Sequence, residues 1–407
     1  MRFHIFIPLT ESYYNLRENT IHLRACDIQL LKTSHIGLKK PAILIYTVIK
    51  EGINMNKKIL GAILPGNSTV ELKEFDVPKP GHGQVLVKTK ASTICGSDIR
   101  CIYRAHVGKG PEGYQPGMVA GHEPCGIIVE EGEGLKRFKK GDRVIVYHIS
   151  GCGVCYDCRR GYYISCKSPL RAAYGWQRNG GMAPYMICDE KDLIALPDEL
   201  SYEDGAQVAC GFGTCYEALM KIGISGNDRV LVTGLGPVGL ATLMLAKAMG
   251  CDKTIGCDVN EERMQLAKDL GLADYVFNSM NPEECQKKIM EVTDGYGCER
   301  AIDCSANNAA RAMAIRCTRE WGKMAMVGEG NDVTFNPSPD IMHGQKSIYG
   351  SWVTSLWRME ELVEHLVRWG IHPDKLITHR FELKDVDKAY ALMASGRCGK
   401  VAIVYPD

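Results

Sequence analysis

Alternation dominates the pattern of apolar and polar positions from Met55 onward. MNKKILGAILPGNSTVELKEFDVPKPG, then QVLVKTKAS, GIIVEEGEG and DRVIVYH, set apolar residues at about every second position between Pro-Gly and Gly-rich breaks. That period buries one face of a strand and exposes the other. The stretch from Gln84 to Leu196 therefore reads as a mostly β domain. From Asp228 the period changes: RVLVTGLGPVGLATLMLAKAMG runs from an apolar strand through a glycine turn into a helical repeat, and KTIGCDVN follows as a second strand. EERMQLAKDLG is then a helix closed by a glycine, and AIDCSA and KMAMVGEG continue the rhythm. Strands alternating with helices at this spacing predict a parallel sheet with crossover helices. After Gly350 the rhythm stops, and HRFELKDVDKAYALMASGRCGKVAIVY predicts a helix feeding a last strand that returns to the first domain.

The 407 residues are enough for two domains, each with a large core. Residues 1–54 lack the later order. Because Met55 makes a natural first residue, they read as an upstream extension, poorly packed, with a strand or helix docked on the body as the alternative. The segments that follow are 55–211 and 351–407 for the β-rich domain and 212–350 for the parallel-sheet domain.

Lys and Arg total 49 against 48 Asp and Glu, with no basic block, which argues against nucleic acid as a partner. The apolar start of the chain is interrupted by Pro8, Thr10 and Glu11 before it reaches signal-peptide length. Pro41–Ile49 falls far short of the roughly 20 apolar residues of a membrane span. The eighteen cysteines are scattered through apolar runs, unlike a secreted disulfide framework. A soluble, reduced, cytoplasmic protein with no membrane partner is expected.

Gly234, Gly236 and Gly239 form G-x-G-x-x-G directly after a strand and at the start of a helix. The first glycine allows a tight turn, the second lets backbone approach a pyrophosphate, and the third lets the helix pack on the strand. The next strand ends in Asp258, where a carboxylate can accept hydrogen bonds from ribose hydroxyls and repel a 2′-phosphate, so NAD is expected over NADP. Arg263 flanks the ribose or softens that preference. The plain alternative for Asp258 is a strand-end acid capping the following turn.

GCGVCYDCRRGYYISC holds Cys152, Cys155, Cys158 and Cys166. In a reduced compartment so dense a thiol cluster more often binds metal than forms disulfides. Apart from it stand Cys95 in STICGSDIR, His122 and Glu123 in AGHEPCG, and Cys210 in QVACGFGT. Singly, each is an ordinary buried residue; together, two thiolates and an imidazole make a zinc set with one position open.

In these motifs, CGSD, GHE, C-x-x-C-x-x-C-x7-C, CGFGT, GLGPVG and the strand-end Asp258, the chain resembles the zinc-dependent medium-chain alcohol and polyol dehydrogenases over roughly residues 56–407. The resemblance implies an α/β chain, a β-rich GroES-like catalytic domain built from both ends plus a Rossmann domain with a doubly wound parallel sheet. It implies two zinc ions, one structural in the four-cysteine loop and one catalytic on Cys95, His122 and Cys210, with Glu123 as an occasional ligand. It also implies that Ser97 takes the alcohol proton and that Asp98 orients the ligating histidine. Thr214 and Val327 would lie beside the nicotinamide, with Gly234, Gly236, Pro237, Val238 and Gly239 on the pyrophosphate. A small-molecule alcohol or polyol substrate and a homodimer or homotetramer are expected.

One departure stands out: where many relatives carry a proton-relaying histidine, this chain has Arg100, which cannot relay by titrating. Either His106 takes over, or water and a ribose hydroxyl suffice, or Arg100 binds an anionic part of the substrate, with Arg104 and Lys109 close by. Trp176, Trp352 and Trp357 are candidates for lining the pocket. The rival functions are a zinc-stapled NAD(P)-binding sensor without catalysis and a zinc-free reductase on the same fold.

Overall fold

The computed structural model describes residues 13–15, 20–22, 58–107 and 113–406. Tyr13–Asn15 and Thr20–His22 form a two-stranded antiparallel ladder, a unit considered by itself. The remainder of the expected leader and Lys109 lie outside the described residues.

The alternation of QVLVKTKASTI becomes the strand Gln84–Ile94, with Val85, Val87, Ala91 and Ile94 buried. It pairs antiparallel with Glu123–Glu131 on one side and with Lys400–Val404 on the other. The sheet runs in the order Leu193–Ala195, Arg143–Val146, Glu123–Glu131, Gln84–Ile94, Lys400–Val404, Ile377–Phe381, and Tyr185–Asp189 also pairs with Gln84–Ile94. The last strand of the chain thus sits in the middle of a sheet begun by the first ones. Its register sets Ala402 across from Thr93, and Thr93 across from Glu123 on the other side.

The second sheet has six strands, all parallel, in the order Tyr275–Asn278, Lys253–Asp258, Arg229–Thr233, Cys298–Asp303, Thr318–Met326, Ser347–Gly350. This is the doubly wound order, whose switch point lies between the first strand of the unit, Arg229–Thr233, and the fourth, Cys298–Asp303. Val230, Leu231 and Val232 are fully buried, and so is most of the helix Pro237–Ala248 that follows. A helix with so little polar face is one covered on both sides. No helix among the described residues is long and apolar enough to cross a membrane.

One ion cluster clamps three parallel strands together. Glu299 accepts from the Arg229 backbone amide at 2.8 Å and from its guanidinium, and Arg319 adds a bond at 2.9 Å. Burial raises the Glu299 carboxyl, but these donors outweigh it and hold the group down to about 2. A depressed carboxyl stabilises the fold above its unfolded value and loses that contribution as the pH falls toward the folded one. The effect corresponds to at most about 3 kcal/mol. Glu299→Gln is therefore expected to lower the urea midpoint at pH 7 by an amount equivalent to about 1–3 kcal/mol, and the gap from wild type should shrink at pH 3.

Candidate functional site

Cys95 follows the strand Gln84–Ile94 and caps the short helical turn Gly96–Asp98. The turn folds Asp98 back, so that the Cys95 amide donates to Asp98 Oδ2 at 2.9 Å. Asp98 Oδ1 lies 2.7 Å from His122 Nδ1, and both side chains are buried. The carboxylate therefore holds the imidazole proton on Nδ1 and leaves Nε2 as the ligating nitrogen. Glu123 begins its strand opposite Thr93, whose hydroxyl donates to Glu123 Oε2 at 2.5 Å. The same oxygen pairs with the buried Lys400 ammonium, whereas Oε1 is buried without a hydrogen-bond partner. Cys210 arrives on a helical segment that widens into a π turn at Val208–Phe212, between the helices Tyr202–Gln207 and Gly213–Ile222. Such widened turns recur at functional sites.

One ligand atom from each of Cys95, His122, Glu123 and Cys210 lies within 4.8 Å of all the others. The hydrogen bond from Cys210, helped by His122 and Lys400 against burial, pulls the Cys95 thiol well down, and the same bond pushes Cys210 well up. Metal ligation requires both sulfurs as thiolates, so a divalent cation held here would be bound with release of protons. Two sulfurs, an imidazole nitrogen and an orphaned carboxylate oxygen fit a zinc ion.

Cys152, Cys155, Cys158 and Cys166 form the second set, again with all sulfurs within 4.8 Å. Cys152 and Cys158 Sγ are 4.0 Å apart. A tetrahedral zinc with Zn–S of about 2.3 Å has sulfur edges of about 3.8 Å, whereas a disulfide needs about 2.05 Å. The backbone amides of Val154 and Cys155 hold the Cys152 thiol down to about 6, toward the thiolate that a ligand must be. At Gly151 a Cβ would stand 2.6 Å from Cys158 Sγ, so the loop closes only on glycine.

The glycine turn follows Arg229–Thr233. Gly234 has φ +87°, and a Cβ on Gly239 would meet the Gly234 carbonyl oxygen at 1.8 Å. Gly236 and Pro237 open the helix Pro237–Ala248, whose first amides are free for an anion. Asp258 accepts from the Leu235 amide at 2.5 Å through one oxygen and from Val259 and Asn260 at 2.7 and 2.9 Å through the other. The strand-end bracing role is thus present, and a ribose hydroxyl would use the lone pairs that remain. The Arg263 guanidinium approaches the Cβ positions of Gly236 and Gly396 to 3.7 and 3.2 Å. The amides of Val327 and Gly328 both donate to the Asp303 carbonyl, so a backbone contact from Val327 falls to its own carbonyl.

A cavity of 770 Å³ joins these parts: Cys95, Ser97, His122, Cys210, Thr214, Gly236, Pro237, Val238, Gly239, Arg263 and Val327 all line it. Gly234, Glu123 and Asp258 are not on its wall. Ser97 Oγ stands 3.5 Å from His122 Nε2. Trp176 and Trp352 line the cavity, but Trp357 does not; Arg358 stacks over its ring at 3.9 Å. His106 is also outside, bonded through Nε2 to the Leu64 carbonyl at 2.8 Å. Arg100 donates to the Glu329 carbonyl and Arg104 to the Ala394 carbonyl, so both guanidiniums are tied to backbone at the cavity wall.

Two residues escaped sequence reasoning. His148 lies with its ring centroid 5.1 Å from that of His122 and bonds through Nδ1 to the Ala209 carbonyl at 2.9 Å. Burial, with the His122 charge, holds it down to about 3, so it is neutral with Nε2 as an acceptor. Lys400 is the other, and its signal was a lone cation in the apolar strand KVAIV.

Comparison with known proteins gives a consistent result. Residues 81–198 match the family model described as alcohol dehydrogenase GroES-like domain, and residues 237–368 match that described as zinc-binding dehydrogenase. The uncharacterized zinc-type alcohol dehydrogenase-like protein YphC of Escherichia coli K12 is 52% identical over 354 residues, covering 86% of this chain and 100% of that one. L-threonine 3-dehydrogenase of Pyrococcus horikoshii is 33% identical over 82% of this chain and 94% of its own. A crystal structure named as short chain alcohol dehydrogenase (rspB) from E. coli CFT073, complexed with NADH, superposes with TM-score 0.76 at 26% identity, covering 86% of this chain and 99% of that one. With 52% identity to one relative over 86% of its length and both family models matched, the chain belongs to the zinc-dependent medium-chain dehydrogenases, the zinc-type alcohol dehydrogenase family.

Proposed function

We propose that the protein transfers hydride between a secondary alcohol, diol or polyol and NAD. In this reading residues 55–211 and 351–407 hold the substrate and 212–350 the cofactor, in a cytoplasmic homodimer or homotetramer. The observation that carries it is the shared cavity: the open donor set of Cys95, His122 and Cys210 faces the same space as the glycine turn at Gly236–Gly239. Bound zinc supplies Lewis acidity that lowers the pKa of an alcohol near it, and bound NAD supplies the hydride acceptor.

The chain's own residues do the rest. Asp98 fixes His122 in the tautomer with Nε2 available, and Lys400 with Thr93 holds one Glu123 oxygen while leaving the other unpartnered. Ser97 lines the cavity beside His122 Nε2, where its hydroxyl can take the substrate proton. Onward transfer passes to water or a ribose hydroxyl, because Arg100 is bound to the Glu329 carbonyl and His106 is elsewhere. Thr214 and the Val327 carbonyl border the nicotinamide end, and the helix opening at Gly236 takes the pyrophosphate. Asp258, one carboxylate already committed to the turn, disfavours a 2′-phosphate, which supports NAD.

The first test is NADH against NADPH formation by zinc-replete protein over polyols, vicinal diols and secondary alcohols. Turnover with NAD is expected; silence across the panel, with two zinc per chain present, would give the non-catalytic sensor the better claim. Cys95→Ala should lose one of two zinc ions and at least about 100-fold in kcat/KM while keeping the four-cysteine ion, as measured by metal analysis and initial rates. Asp98→Asn, which removes the charge that orients His122, should cost about 10–100-fold in catalytic-zinc affinity or in activity.

A further inference from the structure

The cavity wall is strongly one-signed. Arg100, Arg104, Lys167, Arg171, Arg263 and Lys400 line it, and Glu329 is its one carboxylate residue among those described. Four of the six cations are accounted for. Lys400 pairs with Glu123, Arg100 and Arg104 donate to backbone carbonyls, and Arg263 stands at the phosphate-binding turn.

Lys167 and Arg171 have no such use. Arg171 is half-buried and its Nε, like that of Arg263 at the glycine turn, is buried without a hydrogen-bond partner; Lys167 is exposed, and no carboxylate among the described residues pairs with either side chain. Arg171 immediately precedes Ala172–Ala173, which pairs with Ile149–Ser150, the strand next to His148. His148 in turn packs on His122. Arg171 therefore belongs to the metal-bearing end of the cavity, apart from the glycine turn, together with Trp176 and Gln177 on the same wall. A guanidinium with its Nε turned away from water and no counter-ion gains from an anion that joins it, and its planar fork suits a carboxylate or phosphate taken with two parallel hydrogen bonds.

We propose that Arg171, assisted by Lys167, binds an anionic group on the substrate, so that the preferred alcohol is a hydroxy acid of the sugar-acid class or a phosphorylated polyol. The proposal rests on the dehydrogenase reading above and narrows its substrate class. Arg171 is a specificity residue here; it makes no contact with the donor set that the structure records.

The test is calorimetric binding of sorbitol, gluconate and sorbitol 6-phosphate to the full, zinc-replete chain with NADH bound, in wild type, Arg171→Gln and Arg171→Lys. At least one anion is expected to bind wild type about 10–100-fold more tightly than sorbitol, and Arg171→Gln should remove that advantage. Arg171→Lys should restore part of it, with NADH affinity and both zinc ions unchanged. Whichever anion shows the advantage identifies the group. Equal affinity for sorbitol and both anions, or anion affinity untouched in Arg171→Gln, overturns the proposal. Loss of zinc from Arg171→Gln also overturns it, since the charge would then serve the four thiolates. Anion binding that depends on Arg171 without any NADH formation from NAD would leave the subsite standing and sink the dehydrogenase reading instead.

Discussion

Two thiols, an imidazole and a carboxylate held within 4.8 Å of one another in a mostly buried cluster are stable as a group only under positive charge. Much of the architecture serves that constraint. Asp98 braces His122 and the Cys95 amide at once, and Lys400 reaches Glu123 from the last strand of the chain. The four elements that deliver these side chains are a strand end, a strand start, a π turn and the final strand, and no two of them make the cluster alone.

The same constraint explains the position of the four-cysteine loop. Its wall residues Ile164 and Cys166, with the following Lys167, border the cavity, so a metal that closes the loop also shapes one side of that cavity. Across that space the glycine turn is held from behind by Asp258, whose three backbone bonds keep Leu235 and the start of the next helix in register. Chemistry and cofactor binding are thus supported from outside the cavity by carboxylates that do not line it.

Arg100 illustrates how a substitution at a familiar position changes role. A titrating side chain there could pass a proton, whereas the guanidinium instead bonds the Glu329 carbonyl just past the strand Thr318–Met326. It ties the Cys95 turn to the cofactor side of the cleft. The charge left over for a substrate lies on Arg171 and Lys167, in a stretch with no motif to single it out.

By itself the sequence determined what local chemistry and periodicity dictate. The alternating strands, the apolar strand leading into GLGPVG, and the thiol spacing at Cys152–Cys166 all carry their signal within a few residues, because pleat, turn and metal loop are each short-range constraints. The return of the final strand to the first sheet was also legible, from the break in rhythm after Gly350. Only tertiary structure decided which isolated residues meet. His148 and Lys400 joined the cluster, Trp357 and His106 stayed out of the cavity, and Asp258 turned its carboxylate to the backbone. Those outcomes depend on strand register and on packing between elements far apart in the chain; a one-residue shift in register of the final strand would send Lys400 to the other face of its sheet.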